Sequence, residues 1–243
     1  MNSQLYTAAS GLLAEERKLE LISNNLANLA TPGYRAERSF SAVYQRFGAT
    51  ADPSVRVANA AVAIAGTWEA PGSGPVRETG RSLDVALSND RLLAVETPAG
   101  RRYTRAGSLD VSPAGELTDA AGNRILGSSG KPISGLVPGS SVTADGSVLA
   151  NDGEIGKLLV VEDPDHVLRR EGSNLLTADG NDAALRPVQD PDLRPGWIEG
   201  TGTDALHELV DMIEAQRAFE SYQKVISLTM NDVNRKAVSD IAG

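Results

Sequence analysis

Residues 24–35 read Asn24-Asn25-Leu26-Ala27-Asn28-Leu29-Ala30-Thr31-Pro32-Gly33-Tyr34-Arg35, and a helix arriving from the N-terminal side must end inside them. Proline lacks an N–H and disfavours the α conformation in Thr31, while Gly33 can adopt a positive φ that turns the chain away. Running back from this stop, every seventh residue is leucine (Leu5, Leu12, Leu19, Leu26), and the positions three residues on are Ala8, Glu15, Ile22 and Leu29. The repeat is a heptad seam with one defect, Glu15, and predicts a helix from about Asn2 to Ala30. Such a helix, on the order of 40 Å long, is not stable alone in water and needs a partner.

A second helix closes the sequence. Asp204 is the expected N-cap, and Leu209, Met212, Gln216, Phe219, Gln223, Ile226, Met230, Val233 and Ala237 follow in steps of three and four. Ile213, Tyr222 and Val225 broaden this stripe, which predicts contact with more than one neighbour, and the two glutamines keep it from being a dry seam.

Between the helices the pattern changes to short β-branched or alternating runs: Ser82–Leu87, Arg91–Thr97, Arg101–Arg105, Leu109–Val111, Arg124–Leu126, Ser147–Leu149 and Lys157–Glu162. Asn89-Asp90, Asp145-Gly146, Asp152-Gly153 and Asp179-Gly180 supply turn chemistry, with the Asp145 side chain expected to face water. No helical pattern of βαβ length interrupts these runs, so the middle reads as an antiparallel β domain. Arg38–Ala70 reads as an irregular or partly strand-like connector, with Val57–Ala65 its least decipherable part. The expected class is therefore α+β, with terminal helices forming an antiparallel coiled-coil-like pair around a central antiparallel β domain. The segments are 1–35 (axial helix), 36–80 (connector), 81–196 (β domain) and 197–243 (hinge and axial helix).

Composition narrows the function. The chain has 243 residues, a net charge of −9 and no cysteine, so it offers neither thiolate metal sites nor a basic surface for nucleic acid. Its only histidines, His166 and His207, lack visible partners and read as surface residues. No stretch is long and apolar enough for membrane insertion, and Met1–Tyr6 does not open a cleaved signal peptide. Residues 1–40 carry four basic and four acidic side chains, and 204–243 four basic and seven acidic, so most of the negative charge lies in the middle segment. Helical ends near neutrality suit packing against like molecules while the middle stays solvated.

Motifs of catalysis fail on context. Gly200-Thr201-Gly202-Thr203-Asp204-Ala205 matches a dinucleotide fingerprint, but Arg194-Pro195-Gly196-Trp197 is no buried strand and no strand follows, so a flexible hinge is expected. Gly130-Lys131 is followed by Pro132 where a phosphate loop needs a hydroxyl, and no nucleophile elbow is present. The acidic turns Glu162-Asp163-Pro164-Asp165 and Asp190-Pro191-Asp192 do not fit a calcium loop. No catalytic, cofactor or metal residue is assigned.

Three stretches, in order, resemble the rod and hook axial proteins of the bacterial flagellum: residues 24–35 quoted above; Tyr103-Thr104-Arg105-Ala106-Gly107-Ser108-Leu109 with Gly115-Glu116-Leu117 and Gly122-Asn123-Arg124-Ile125-Leu126-Gly127; and Glu208-Leu209-Val210-Asp211-Met212-Ile213-Glu214-Ala215-Gln216-Arg217-Ala218-Phe219-Glu220. Two stretches depart from the family pattern: Asn89-Asp90-Arg91-Leu92-Leu93, where relatives carry Gly and paired aromatics, and Gly200–Thr203, which lacks a Ser-Asn. The resemblance implies a non-enzymatic subunit of the basal-body rod, exported by the flagellar type III apparatus without a cleaved signal and crossing the periplasm. Its partners would be copies of itself and other rod proteins. The length and the run Phe219–Ile226 resemble proximal rather than distal rod members. The assembly residues would be Leu5, Leu12, Leu19, Ile22, Leu26, Leu29, Leu209, Met212, Phe219, Ile226, Met230 and Val233. The alternatives are a distal rod member with the same architecture and, further off, a secreted β-domain enzyme or binding module with oligomerising helices, which a concave site of converging polar groups would favour.

Overall fold

The computed structural model describes residues 2–47, 58–69, 74–88, 90–151, 153–172 and 174–242. Two of the turn signals, Asn89-Asp90 and Asp152-Gly153, have their first residue outside these ranges, as does Val57. The class is α+β, with two long helices and a large antiparallel β region. By packing, the chain forms two units that do not follow chain order: residues 1–27, 37–70 and 204–243 form the first, and 28–36 with 71–203 the second.

The first unit is made of α1 (Asn2–Ala27), β1 (Glu37–Phe47), β2 (Ala58–Glu69) and α2 (Ala205–Ala242). Ala27 rather than Ala30 ends α1, because the next residues close a turn in which the Thr31 N–H donates to the Asn28 carbonyl at 3.0 Å. At the start of α2, Asp204 caps as expected, its carboxylate accepting the Leu206 N–H at 2.9 Å. This bond and the contact to His207 hold the Asp204 carboxyl below its usual range, the His207 contact first.

The segment expected as an irregular or partly strand-like connector holds two long paired strands, a hairpin that goes beyond that expectation. β1 and β2 pair antiparallel from Glu37↔Glu69 to Phe47↔Ala58, with one register shift between Phe40 and Ser41. The sequence hides β2 because its small residues do not alternate with polar ones. Helix α1 lies against this strand, and the Ser10 hydroxyl of α1 accepts the Val62 N–H at 3.0 Å. Small side chains on a strand let a helix come close, which is what an alanine run provides here.

In the second unit every pairing between the described strands is antiparallel, and the largest sheet is centred on Arg91–Thr97. That strand pairs with Gly100–Thr104, Arg124–Ile125 and Val160–Glu162. Leu93 and Val95 enter one apolar cluster with Leu109, Leu117, Ile125 and Val148. Leu92 and Ala94 enter another with Tyr103, Leu126 and Val161. Burial on both faces explains why the strand reads as an unbroken apolar run. The short strands Arg169–Glu171 and Arg186–Val188 carry charges and, in the second, a proline, which obscures them in the sequence, and Leu175–Thr177 is only three residues long; Pro187 is tolerated because its strand pairs on one side only. The Asp145 side chain is exposed to solvent, as expected, and is hydrogen-bonded as well. Hydroxyls of Thr143 and Ser147 donate to it and hold its carboxyl well below the usual range.

A buried charge pair organises the rest of this unit. Arg105, 5% exposed, meets Glu199, 3% exposed, with Nη2 to Oε2 at 2.6 Å and Nε to Oε2 at 3.1 Å. Glu199 also accepts the Gly74 N–H on its side chain and the Gly33 N–H on its carbonyl. Gly33 has φ +68°, and a Cβ there would stand 2.7 Å from the Arg105 carbonyl. A Cβ on Gly107 would stand 1.7 Å from the Val85 oxygen. Tyr34 is buried with the Arg170 guanidinium 4.7 Å from its ring centre, and Arg35 pairs with Asp90, holding that carboxyl below its usual range. The Thr-Pro-Gly-Tyr stretch is thus seated on the Thr-Arg-Ala-Gly stretch. Gly200 and Gly202, expected in a flexible hinge, donate to the Pro75 and Tyr34 carbonyls, and Trp197–Glu199 pairs antiparallel with Val76–Glu78, which is no βαβ unit.

Removing one partner of a buried pair leaves the other charge uncompensated. Glu199→Ala should therefore lower unfolding stability by about 3–5 kcal/mol. Arg17→Ala, at the exposed Arg17–Glu20 pair, should change it by less than about 0.5 kcal/mol. Urea unfolding of both full-length variants checks the contrast.

Candidate assembly interface

The end of α1, the start of β1 and the start of α2 meet at a buried polar clasp. Asn25 is buried because its amide mimics a strand neighbour. Its Nδ2 donates to the Glu37 carbonyl and its Oδ1 accepts the Glu37 N–H, each at 3.0 Å. The same Nδ2 donates to Glu208 Oε2 at 3.2 Å. Glu208 is 0% exposed, and Arg38, the next residue of β1, places Nη2 2.7 Å from Glu208 Oε1 and Nη1 2.7 Å from Asp211 Oδ2. A buried carboxylate is tolerated only with such company. Sequence reasoning missed Arg38, Glu208 and Asp211 as a group, because residues this far apart in the chain carry no mutual signal.

Beyond the clasp the helices run antiparallel. Asn25 meets Glu208, whereas Gly11 faces Tyr222, so closely that a Cβ on Gly11 would lie 2.6 Å from the Tyr222 ring. Ala8, Ile22 and Ala215 are buried in the same unit.

Of the residues expected to assemble, Ile22 is buried, and Leu5, Leu12, Leu19, Leu26, Met212, Phe219 and Ile226 are half-buried. Leu29 is half-buried beyond the end of α1, in the second unit. Leu209, Met230 and Val233 are exposed. The structure adds outward apolar residues that the heptad reading left out: Tyr6 and Leu13 on α1, Leu206, Val210 and Leu228 on α2, and Phe40, Val43, Tyr44 and Trp68 on the hairpin. Leu206, Leu209, Val210 and Ile213 have helical spacing and were findable as a second stripe; the hairpin residues were not, since the hairpin itself was unread. Among the described residues no group of three or more acidic or histidine side chains could hold a metal ion, and no helix is long and apolar enough to cross a membrane.

This unit has a chemistry of contact: side chains held on a rigid frame with apolar surface turned outward. Asn25→Ala should lower stability by about 2–3 kcal/mol, since it strands both main-chain groups of Glu37 and one oxygen of Glu208. Chemical denaturation followed by circular dichroism measures it.

Of the clasp, Asn25, Glu208 and Asp211 lie in regions shared with known proteins, whereas Glu37 and Arg38 of β1 lie between those regions. Residues 5–35 match the family described as flagella basal body rod protein, and residues 194–239 match the C-terminal family of flagellar basal body rod FlgEFG proteins. Over the full chain, the flagellar basal-body rod protein FlgF of Escherichia coli is 33% identical, covering 97% of both chains. FlgF of Mesorhizobium japonicum is 31% identical over 91% of this chain and 90% of its own. The flagellar basal-body rod protein FlgG of Bacillus subtilis is 28% identical over 98% of this chain and 99% of its own. With identity at this level spanning nearly the whole of both chains, the protein belongs to the flagellar basal-body rod family.

Proposed function

We propose that the chain is a structural subunit of the flagellar basal-body rod, which joins the axial shaft of the motility organelle through its terminal helices. The observation that carries this reading is the outward apolar surface of a helix pair already closed within the chain. Surface of this kind is stable in water when neighbouring subunits cover it. The pair α1 and α2 is proposed to act as an antiparallel coiled-coil-like element. Its partners are copies of itself and other basal-body proteins, and its route is the flagellar type III export apparatus into a rod that crosses the periplasm. A proximal position is supported by the Phe219–Ile226 run. The role needs no cofactor or catalytic residue.

The heptad residues divide by burial, and the division makes a test. Leu12→Asp and Ile226→Asp place a carboxylate on half-buried positions and should lower helix content in the free subunit as well as incorporation. Leu209→Asp and Ile213→Asp alter exposed positions and should leave the free subunit's circular dichroism unchanged while incorporation into basal bodies, and swimming, fall by at least about tenfold. Asp145→Ala should incorporate normally. Complementation of a deletion strain, with subunit quantified in purified basal bodies, reads all five; wild-type incorporation of Leu209→Asp and Ile213→Asp together would refute the reading.

A further inference from the structure

The chain crosses between its two units after Ala27, Ala36, Ala70 and Thr203. Three segments of the second unit lead to these crossings, and they lie side by side. The Gly33 N–H donates to the Glu199 carbonyl at 2.9 Å and the Gly202 N–H to the Tyr34 carbonyl at 3.4 Å, so the segment that leaves α1 runs beside the one that enters α2. The segment that leaves β2 joins them: the Gly74 N–H donates to Glu199 Oε1 at 3.2 Å and the Gly200 N–H to the Pro75 carbonyl at 2.9 Å. A Cβ on Gly74 would stand 2.0 Å from the Gly200 oxygen, which leaves room for backbone alone.

Residues 31–36 are also held by their own side chains. Tyr34 and Ala36 are buried, the Arg170 guanidinium lies over the Tyr34 ring and donates to the Arg35 carbonyl at 2.7 Å, and Arg35 reaches Asp90. Gly33, at φ +68°, passes so close to the Arg105 backbone that a side chain there would displace it. All of these residues belong to the second unit, so the seat is complete without α1, α2 or the hairpin.

We propose that residues 31–36 are a strap that sets the order of folding: the second unit forms first, the strap seats on it, and α1 then closes on α2 across a short loop. Closing α1 on α2 joins Ala27 to Ala205. With the strap seated, the connecting path is residues 28–33 and 199–204, through the bond from Gly33 to Glu199. With the strap free, the nearest tie is the pairing of Val76–Glu78 with Trp197–Glu199, and the path becomes residues 28–75 and 200–204, about four times longer. The cost of closure grows as the 3/2 power of loop length, so seating the strap favours the helix pair about tenfold. The device belongs to the free chain and does not depend on the rod-subunit reading.

Gly33→Ala and Tyr34→Ala each unseat the strap while leaving the Arg105–Glu199 pair and both apolar clusters in place. Amide hydrogen exchange of the full-length chain, at a concentration where it sediments as a monomer, reads the helices and the strand Arg91–Thr97 separately. In both variants exchange in α1 and α2 should accelerate about tenfold, with the strand staying within about twofold of the parent chain. Helices unchanged in either variant, helices already unprotected in the parent chain, or a strand that accelerates as much as the helices would each overturn the device. Pulse labelling during refolding of the parent chain from urea decides the order without any substitution. Protection at Arg91–Thr97 ahead of α1 and α2 is expected, and protection of α1 and α2 first or at the same moment overturns it.

Discussion

The interaction on which the first unit depends is the burial of the Glu208 carboxylate. A wholly buried carboxylate is unfavourable unless hydrogen bonds and an opposite charge reach it, and both are supplied from elsewhere in the chain, by Asn25 of α1 and Arg38 of β1. Each of these residues is in turn committed: Asn25 completes the hydrogen bonding of the Glu37 backbone, and Arg38 bridges to Asp211. Ends of three elements that are separate in sequence are thereby brought to one point. The register of α1 against α2 and the departure of the hairpin follow from that point.

A similar arrangement stands in the second unit. Arg105 and Glu199 are buried together, and the backbones of Gly33, Gly74 and Gly107 lie too close to their neighbours to admit a side chain without displacement. The chemistry of both clusters is architectural. Their oxygens and guanidinium groups are engaged with one another and with main-chain groups, an economy that suits a subunit of an assembly. In a rod, small errors of register are repeated along the length, and polar contacts buried at a fixed place exclude alternative registers more sharply than apolar packing does.

Much of this was legible beforehand. Leucines at seven-residue intervals and the Thr-Pro-Gly stop marked α1, Asp204 marked the start of α2, and the apolar run at Leu92–Val95 marked the central strand. The hairpin was not legible, because the residues of β2 are small and lack alternation; their suitability for a close helix is a tertiary property. The stripe at Leu206–Ile213 has helical spacing in the sequence, but the heptad pattern grouped Leu209 with Met212 and Phe219. Only the inward seating of Glu208 reveals which side of α2 is free. Glu15, read as a defect in the seam, keeps one carboxylate oxygen buried with no hydrogen-bond partner.

The central claim is that the outward apolar residues of the first unit are covered by neighbouring subunits in the basal body. Protection on assembly measures this directly: a thiol at position 209 is labelled in the free subunit and in purified basal bodies that contain the same variant, with a thiol at position 145 as reference. Labelling at 209 is expected to fall at least tenfold on assembly. Equal labelling at 209 in the free and assembled states, with the subunit demonstrably incorporated, would contradict it.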